Sequence, residues 1–237
     1  MCGRFALTAG QEALESHFGV PVNPPPAARY NIAPSQPVGV VRLNNGRKEW
    51  GWTAWGLVPS WSREGGGGSG LINARGETVM EKPSFKAAFT HRRCLIPATA
   101  FYEWAKRDGV KAPWCIRRRD GDVFAFGGLW EHWQGADGSE LETCAVITVE
   151  ALGLMRPLHH RMPLIVAPAD YALWLDPRET GRKRTDGQMA GNLGRLLTPT
   201  PWPDMEAFEV SRFVNSPRNE GAACQAPPLP GPPSPEN

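Results

Sequence analysis

The chain has 237 residues, 41% of them hydrophobic, which suffices for a full core in one domain, and a net charge of +2 that does not by itself demand a polyanionic partner. It has no run of about 18 apolar residues and no charged n-region followed by an apolar stretch, so a membrane span and a secretory signal are not expected and the default location is the cytoplasm. Cys2, Cys94, Cys115, Cys144 and Cys224 are odd in number, far apart and free of any CxxC or His/Cys cluster, which argues for reduced thiols, no disulfide framework, no metal and no cofactor.

In chain order, Thr8 and Gln11 have the spacing of a capping box, with Leu14 and Phe18 on one face of a short helix ending near Gly19. After Pro24-Pro25-Pro26, Val38 to Val41, a turn at Asn44-Asn45-Gly46, and alternating Trp50, Trp52 and Ala54 predict a β-hairpin. Residues 64–70 have the composition of a flexible loop. Strands are expected at Arg93–Ile96, Trp114–Arg118, Val123–Gly127, Thr143–Val149, Leu164–Ala167 and Phe208–Val210, with a turn at Asp120-Gly121 and a helix over Pro168–Leu175. Strands dominate and helices are irregularly interspersed, so the fold class is α+β, a mainly antiparallel sheet or barrel core with a few short helices. Residues 2–219 form the expected domain, and the proline-rich 220–237 a disordered tail.

Cys2 is the most reactive feature. Removal of Met1 leaves a thiol and an α-amine on one residue, with unperturbed pKa values of about 8.5 and 7.7–8. The amine condenses with an aldehyde to an imine, and the thiol closes a five-membered thiazolidine. Taken by itself, Cys2 also reads as an ordinary cysteine near the chain start.

Eight segments bear on the choice: Cys2-Gly3-Arg4-Phe5, Arg29–Pro34, Trp55–Trp61, Leu71–Thr78, Cys94–Ala98, Phe101–Trp104, His159–Pro163 and Val210–Asn215. Together they resemble the SRAP family, the SOS-response-associated peptidases whose members crosslink abasic sites in single-stranded DNA. The resemblance runs from residue 2 to about 219. It implies a protein that senses abasic single-stranded DNA and shields the lesion in a covalent thiazolidine crosslink through Cys2. An associated lyase activity, a monomer, and nucleoid association when bound to DNA are expected with it.

The residues themselves offer His159 and His160 side by side, either suited to proton transfer near neutrality. The family motif His-x-Arg-x-Pro selects His159 for opening the sugar ring and leaves His160 at the variable position. Alternation puts Glu103 on the side of Phe101, where it reads either as a desolvated proton shuttle or as an edge-strand carboxylate in water or paired with an arginine. The resemblance implies the shuttle. In an extended segment Asn73 and Arg75 point the same way; Asn73 is expected to orient the sugar or the nucleophile. Arg75, Arg4 and Arg161 are expected on phosphates, Trp61 and Pro34 as apolar surface for bases, and Thr148 as a hydrogen-bond donor.

Two other functions use the same residues. Cys2 can be the nucleophile of an N-terminal cysteine peptidase with its own amine as base, or be incidental to a non-catalytic single-stranded DNA-binding module. Peptide cleavage without abasic-DNA modification marks the first, and salt-sensitive binding without a denaturant-resistant adduct marks the second.

Overall fold

The computed structural model describes residues 2–63, 71–107, 109–179, 182–183 and 189–228; the glycine-rich 64–70 and the last part of the expected tail, 229–237, lie outside them. In chain order the elements are β1 (Phe5–Leu7), α1 (Gln11–Phe18), β2 (Arg29–Ile32), β3 (Pro37–Asn44), β4 (Arg47–Trp55), β5 (Asn73–Arg75), α2 (Pro83–His91), β6 (Arg93–Ala98), β7 (Ala100–Arg107) and β8 (Val110–Arg118). They continue with β9 (Phe124–Gln134), β10 (Glu140–Glu150), β11 (Arg161–Pro163), β12 (Ile165–Val166), α3 (Tyr171–Leu175), β13 (Arg182–Lys183), β14 (Met189–Ala190), α4 (Gly191–Leu197) and β15 (Met205–Glu209). This is the expected α+β class.

Strands β4, β3, β6, β9 and β10 close into a barrel, because β10 pairs antiparallel with β9 along Glu140–Val146 and parallel with β4 at Thr143 and Cys144. The β3–β4 hairpin turns at Asn45 and Gly46, both at positive φ, as its tight two-residue turn requires. Gly39 on β3 lies under the Trp50 indole, where a Cβ would fall 2.0 Å from the ring, so only glycine lets the ring close over the strand. β9 is buried from Phe124 to Leu129, which explains a nearly continuous apolar run instead of alternation.

An open sheet of order β15-β8-β7-β1-β2 packs against the barrel. Phe5 locks the two together, its ring edge-on to Trp55 at 5.1 Å and to Phe126 at 5.7 Å, while Phe101 meets Phe126 at 5.9 Å. Residues 2–4 therefore enter the molecule at the junction of barrel and sheet.

Several expectations are corrected. Thr8 does not cap α1; its hydroxyl meets that of Thr99 at 3.1 Å, and Gly10 occupies the N-cap without a side-chain bond. On β4, Trp52 and Ala54 are only half-buried, whereas Thr53 and Trp55 of the opposite face are buried, because the end of the strand runs beneath Phe5. The segment 220–228 is not a free tail. Ala222–Gln225 forms a 3₁₀ turn whose Cys224 is buried with Tyr102, Cys115 and Val214 on the outer face of the open sheet.

Asn31 ties this C-terminal segment down. Fully buried on β2, it donates from Nδ2 to the carbonyls of Ser216 (2.9 Å) and Asn219 (2.8 Å) and, at 3.3 Å, of Val214, while its Oδ1 accepts from Arg4 at 2.8 Å. Asn31→Ala strands buried carbonyls and removes a partner of a partly buried guanidinium. It is expected to cost about 2–3 kcal/mol, read as a lower midpoint in urea denaturation; an unchanged midpoint would show that the network contributes nothing.

Candidate active site

β10 organises the site. Beyond the barrel its last residues carry β5 on one edge, with Val146 opposite Asn73 and Thr148 opposite Arg75, and β11 on the other, with Thr148 opposite Pro163 and Glu150 opposite Arg161. The β1–β7 register of Phe5 with Phe101 and Ala6 with Ala100, extended through the bond from Tyr102 N to Arg4 O, sets Glu103 opposite Gly3, next to Cys2. Segments distant in sequence thus meet around the first residues of the chain.

Cys2 is buried, and its backbone carbonyl accepts a 2.8 Å bond from Asn73 Nδ2. That bond orients the amide, since a carbonyl can only accept. Asn73 Oδ1 is then a buried acceptor with no hydrogen-bond partner among the described residues, available to an ammonium or a sugar hydroxyl. Burial, and after it the charge of Glu103, raises the Cys2 thiol well above its ordinary range. The positive charge of the chain's amino terminus opposes that shift.

Glu103 is buried on β7 at the same site. Its charge also reaches His159: burial lowers that histidine's pKa, and the attraction of Glu103 opposes the shift. His159 Nδ1 lies 2.9 Å from the backbone N and 3.1 Å from the backbone O of Arg161, so the Arg161 main chain holds the ring. His160 is exposed and stacks on His159 with ring centroids 4.2 Å apart. An apolar cavity of about 250 Å³, lined among others by Phe101 of β7 and Met162 of β11, lies beside these strands.

The expected DNA contacts divide. Arg75 is exposed, with no ion-pair partner among the described residues. Arg161 is only 12% exposed; it donates to Thr148 O at 2.5 Å and grips both carboxylate oxygens of Glu77 at 2.5 and 2.8 Å. Thr148 is fully buried and serves the site through that contact. Arg4 has an internal role, with Nη1 on Asn31 and on the Val214 carbonyl (2.9 Å) and its guanidinium 5.7 Å from the Trp104 ring. Trp61, 65% exposed, stands on a Pro59–Ser62 turn that is anchored by Trp133 Nε1 to Ser62 O at 2.8 Å. Pro34 is half-buried in the turn before β3. Glu77 and the stacked His160 went unassigned in the sequence. Glu77 lies in the turn that follows β5, where the Thr78 N–H donates to Arg75 O, and its spacing from Arg75 gives no pointer to Arg161.

Among the described residues there is no group of three His, Cys, Asp or Glu side chains placed to hold a metal, and no helix long and apolar enough to cross a membrane. A barrel joined to an open sheet, with Cys2 set among an amide, a carboxylate and an imidazole, groups a potential nucleophile with potential proton-transfer side chains.

A family model described as SOS response associated peptidase (SRAP) matches residues 1–217, and the chain belongs to this family. Abasic site processing protein YoqW of Bacillus subtilis is 39% identical over 223 residues, 92% of this chain and 96% of that one. Abasic site processing protein YedK of Escherichia coli is 28% identical, covering 94% and 97%, and abasic site processing protein HMCES of Gallus gallus is 31% identical over 73% of this chain and 56% of its own. The same fold occurs in a crystal structure of a Bacteroides thetaiotaomicron protein, with a TM-score of 0.80, 24% identity, and coverage of 95% and 99%.

The stack makes a measurable prediction. His160 is a like-charged neighbour that lowers His159's pKa, and its ring also shields His159 from water. His160→Ala is therefore expected to raise the His159 titration midpoint, read from ring-proton chemical shifts, from below about 6.5 towards that value. A midpoint that stays put or falls would remove His160 from the electrostatics of the site.

Proposed function

We propose that the chain processes abasic sites in single-stranded DNA by capturing the ring-opened deoxyribose on Cys2 as a thiazolidine crosslink that shields the lesion. The observation that carries this reading is the approach of Asn73 to Cys2 within the field of Glu103. The relatives described above, abasic site processing proteins, support it.

With Met1 removed, Cys2 has a free α-amine. His159 protonates the ring oxygen of the hemiacetal and opens the sugar. The neutral amine attacks C1′, forming the C–N bond, and loss of water with proton transfer through Glu103 leaves an imine. Sγ then adds to C1′, the S–C bond forms, and the thiol proton passes to nitrogen, closing the ring. The amine attacks first in this reading, because the thiol can close the five-membered ring only once C1′ is an imine carbon. An imine that outlives closure is open to β-elimination, which accounts for an accompanying lyase activity. Arg75 and Arg161 take phosphates, and Trp61 with Pro34 offers apolar surface to neighbouring bases. The protein acts as a monomer, cytoplasmic and at the nucleoid when bound to DNA.

The test is a denaturing gel of purified protein with an abasic single-stranded oligonucleotide. The wild type should give a heat-stable adduct and an intact mass beginning at Cys2. Cys2→Ala should give at most an imine that borohydride traps; a heat-stable adduct from this variant without reductant refutes the mechanism. His159→Ala should slow adduct formation by about 10²–10⁴-fold without changing the product mass, and an unchanged rate would remove it from ring opening. Peptide cleavage with no adduct would favour the peptidase.

A further inference from the structure

Arg161 is a phosphate-type fork already occupied by the protein's own carboxylate. Its guanidinium is held from behind by Thr148, to the carbonyl at 2.5 Å and to Oγ1 at 3.4 Å, and is 12% exposed. The Glu77 side chain that fills the fork is 50% exposed. Of the two partners, the arginine is fixed and the carboxylate faces water. Bidentate pairing of this geometry is what guanidinium offers to carboxylate and phosphate alike. Arg75, exposed and without an ion-pair partner among the described residues, stands close enough for its charge to act on Glu77.

We propose that Glu77 is an internal phosphate surrogate: it occupies the Arg161 fork in the free protein and is displaced by a backbone phosphate of the DNA strand, with Arg75 as the entry cation. This deepens the functional reading above and rests on it. Binding at this point is an exchange, carboxylate out and phosphate in. The freed carboxylate takes up a counterion as the phosphate releases one, so the step adds little affinity and little salt dependence. An isolated anion gains almost nothing by entering. A strand held at several other phosphates pays the displacement once, so the device favours an extended backbone over mononucleotides and inorganic phosphate.

The experiment measures binding of a short undamaged single-stranded DNA oligonucleotide by fluorescence anisotropy across a salt series, in wild type, E77Q, R161Q and the double variant, with thermal unfolding to show that each is folded. E77Q should bind roughly two- to tenfold more tightly at low salt, the value of a partly exposed bidentate pair no longer broken. Its log affinity should fall more steeply with log salt, by up to about 0.7. Inorganic phosphate should compete with the strand in E77Q and not in wild type. The gain should vanish in the R161Q background, since the two residues act as one unit. If E77Q unfolds early, E77D, which keeps the charge and shortens the reach, should shift in the same direction by less. Weaker binding by E77Q would overturn the proposal and make Glu77 a support for Arg161; a gain that persists with R161Q would reduce it to general charge repulsion and overturn it too. A wild type that forms the abasic adduct while E77Q binds no better sinks the surrogate alone, whereas a wild type that neither binds nor crosslinks the strand sinks the functional reading and the surrogate with it.

Discussion

The site depends on the double use of β10. Its first residues close the barrel against β9 and β4, and its last residues leave the barrel with both edges open for β5 and β11. A strand that ended at Cys144 would still close the barrel but would bring neither Asn73 nor Arg161 near Cys2. Backbone hydrogen bonding explains the arrangement: strand edges projecting beyond a barrel must be paired, and the short β5 and β11 satisfy them with the segments that carry the polar side chains. Asn73 sits on that ladder and Glu103 on β7, while Cys2 and His159 lie in the segments that lead into β1 and β11.

The electrostatics of the site come from what surrounds it. Cys2 and Glu103 are buried and His159 partly so, beside a cavity that is almost entirely apolar. Desolvation raises the thiol and lowers the imidazole, each towards its neutral form, and Glu103 reinforces the first shift while opposing the second. Neutral groups poised to exchange protons fit carbonyl condensation, in which protons move at every step. A nucleophilic thiolate would need an electropositive surround in place of the carboxylate.

The segments that carry the family resemblance do two different jobs. Cys2, Asn73, Glu103 and His159 gather at the candidate site, whereas Asn31 and Arg4 knit β2 to the C-terminal 3₁₀ turns on the far side of the open sheet. Those turns bury Cys224 against the back of β7, the strand that presents Glu103 on its front. The segment read as a tail is thus, up to residue 228, part of the wall behind the site.

Much was legible in one dimension because the controlling interactions are local. The Asn45-Gly46 hairpin, the C-terminal stop of α1 at Gly19, and the strands of the barrel follow from turn chemistry and apolar patterning. The chemical potential of Cys2 follows from its own two functional groups. Helix α2 is not among the predicted elements, although Pro83 starts it and Phe85, Ala88 and Phe89 share a buried face; that face packs on β6 and β9, which only the tertiary structure brings to it. Thr8 was misread because its hydroxyl had a better partner in Thr99, ninety-one residues away. Closure of the barrel, the meeting of Asn73 with Cys2, the stack of His160 on His159 and the hold of Glu77 on Arg161 were decided by tertiary structure alone, because each joins groups whose separation along the chain says nothing about their separation in space, or, for the adjacent histidines, depends on a backbone turn that only packing sets.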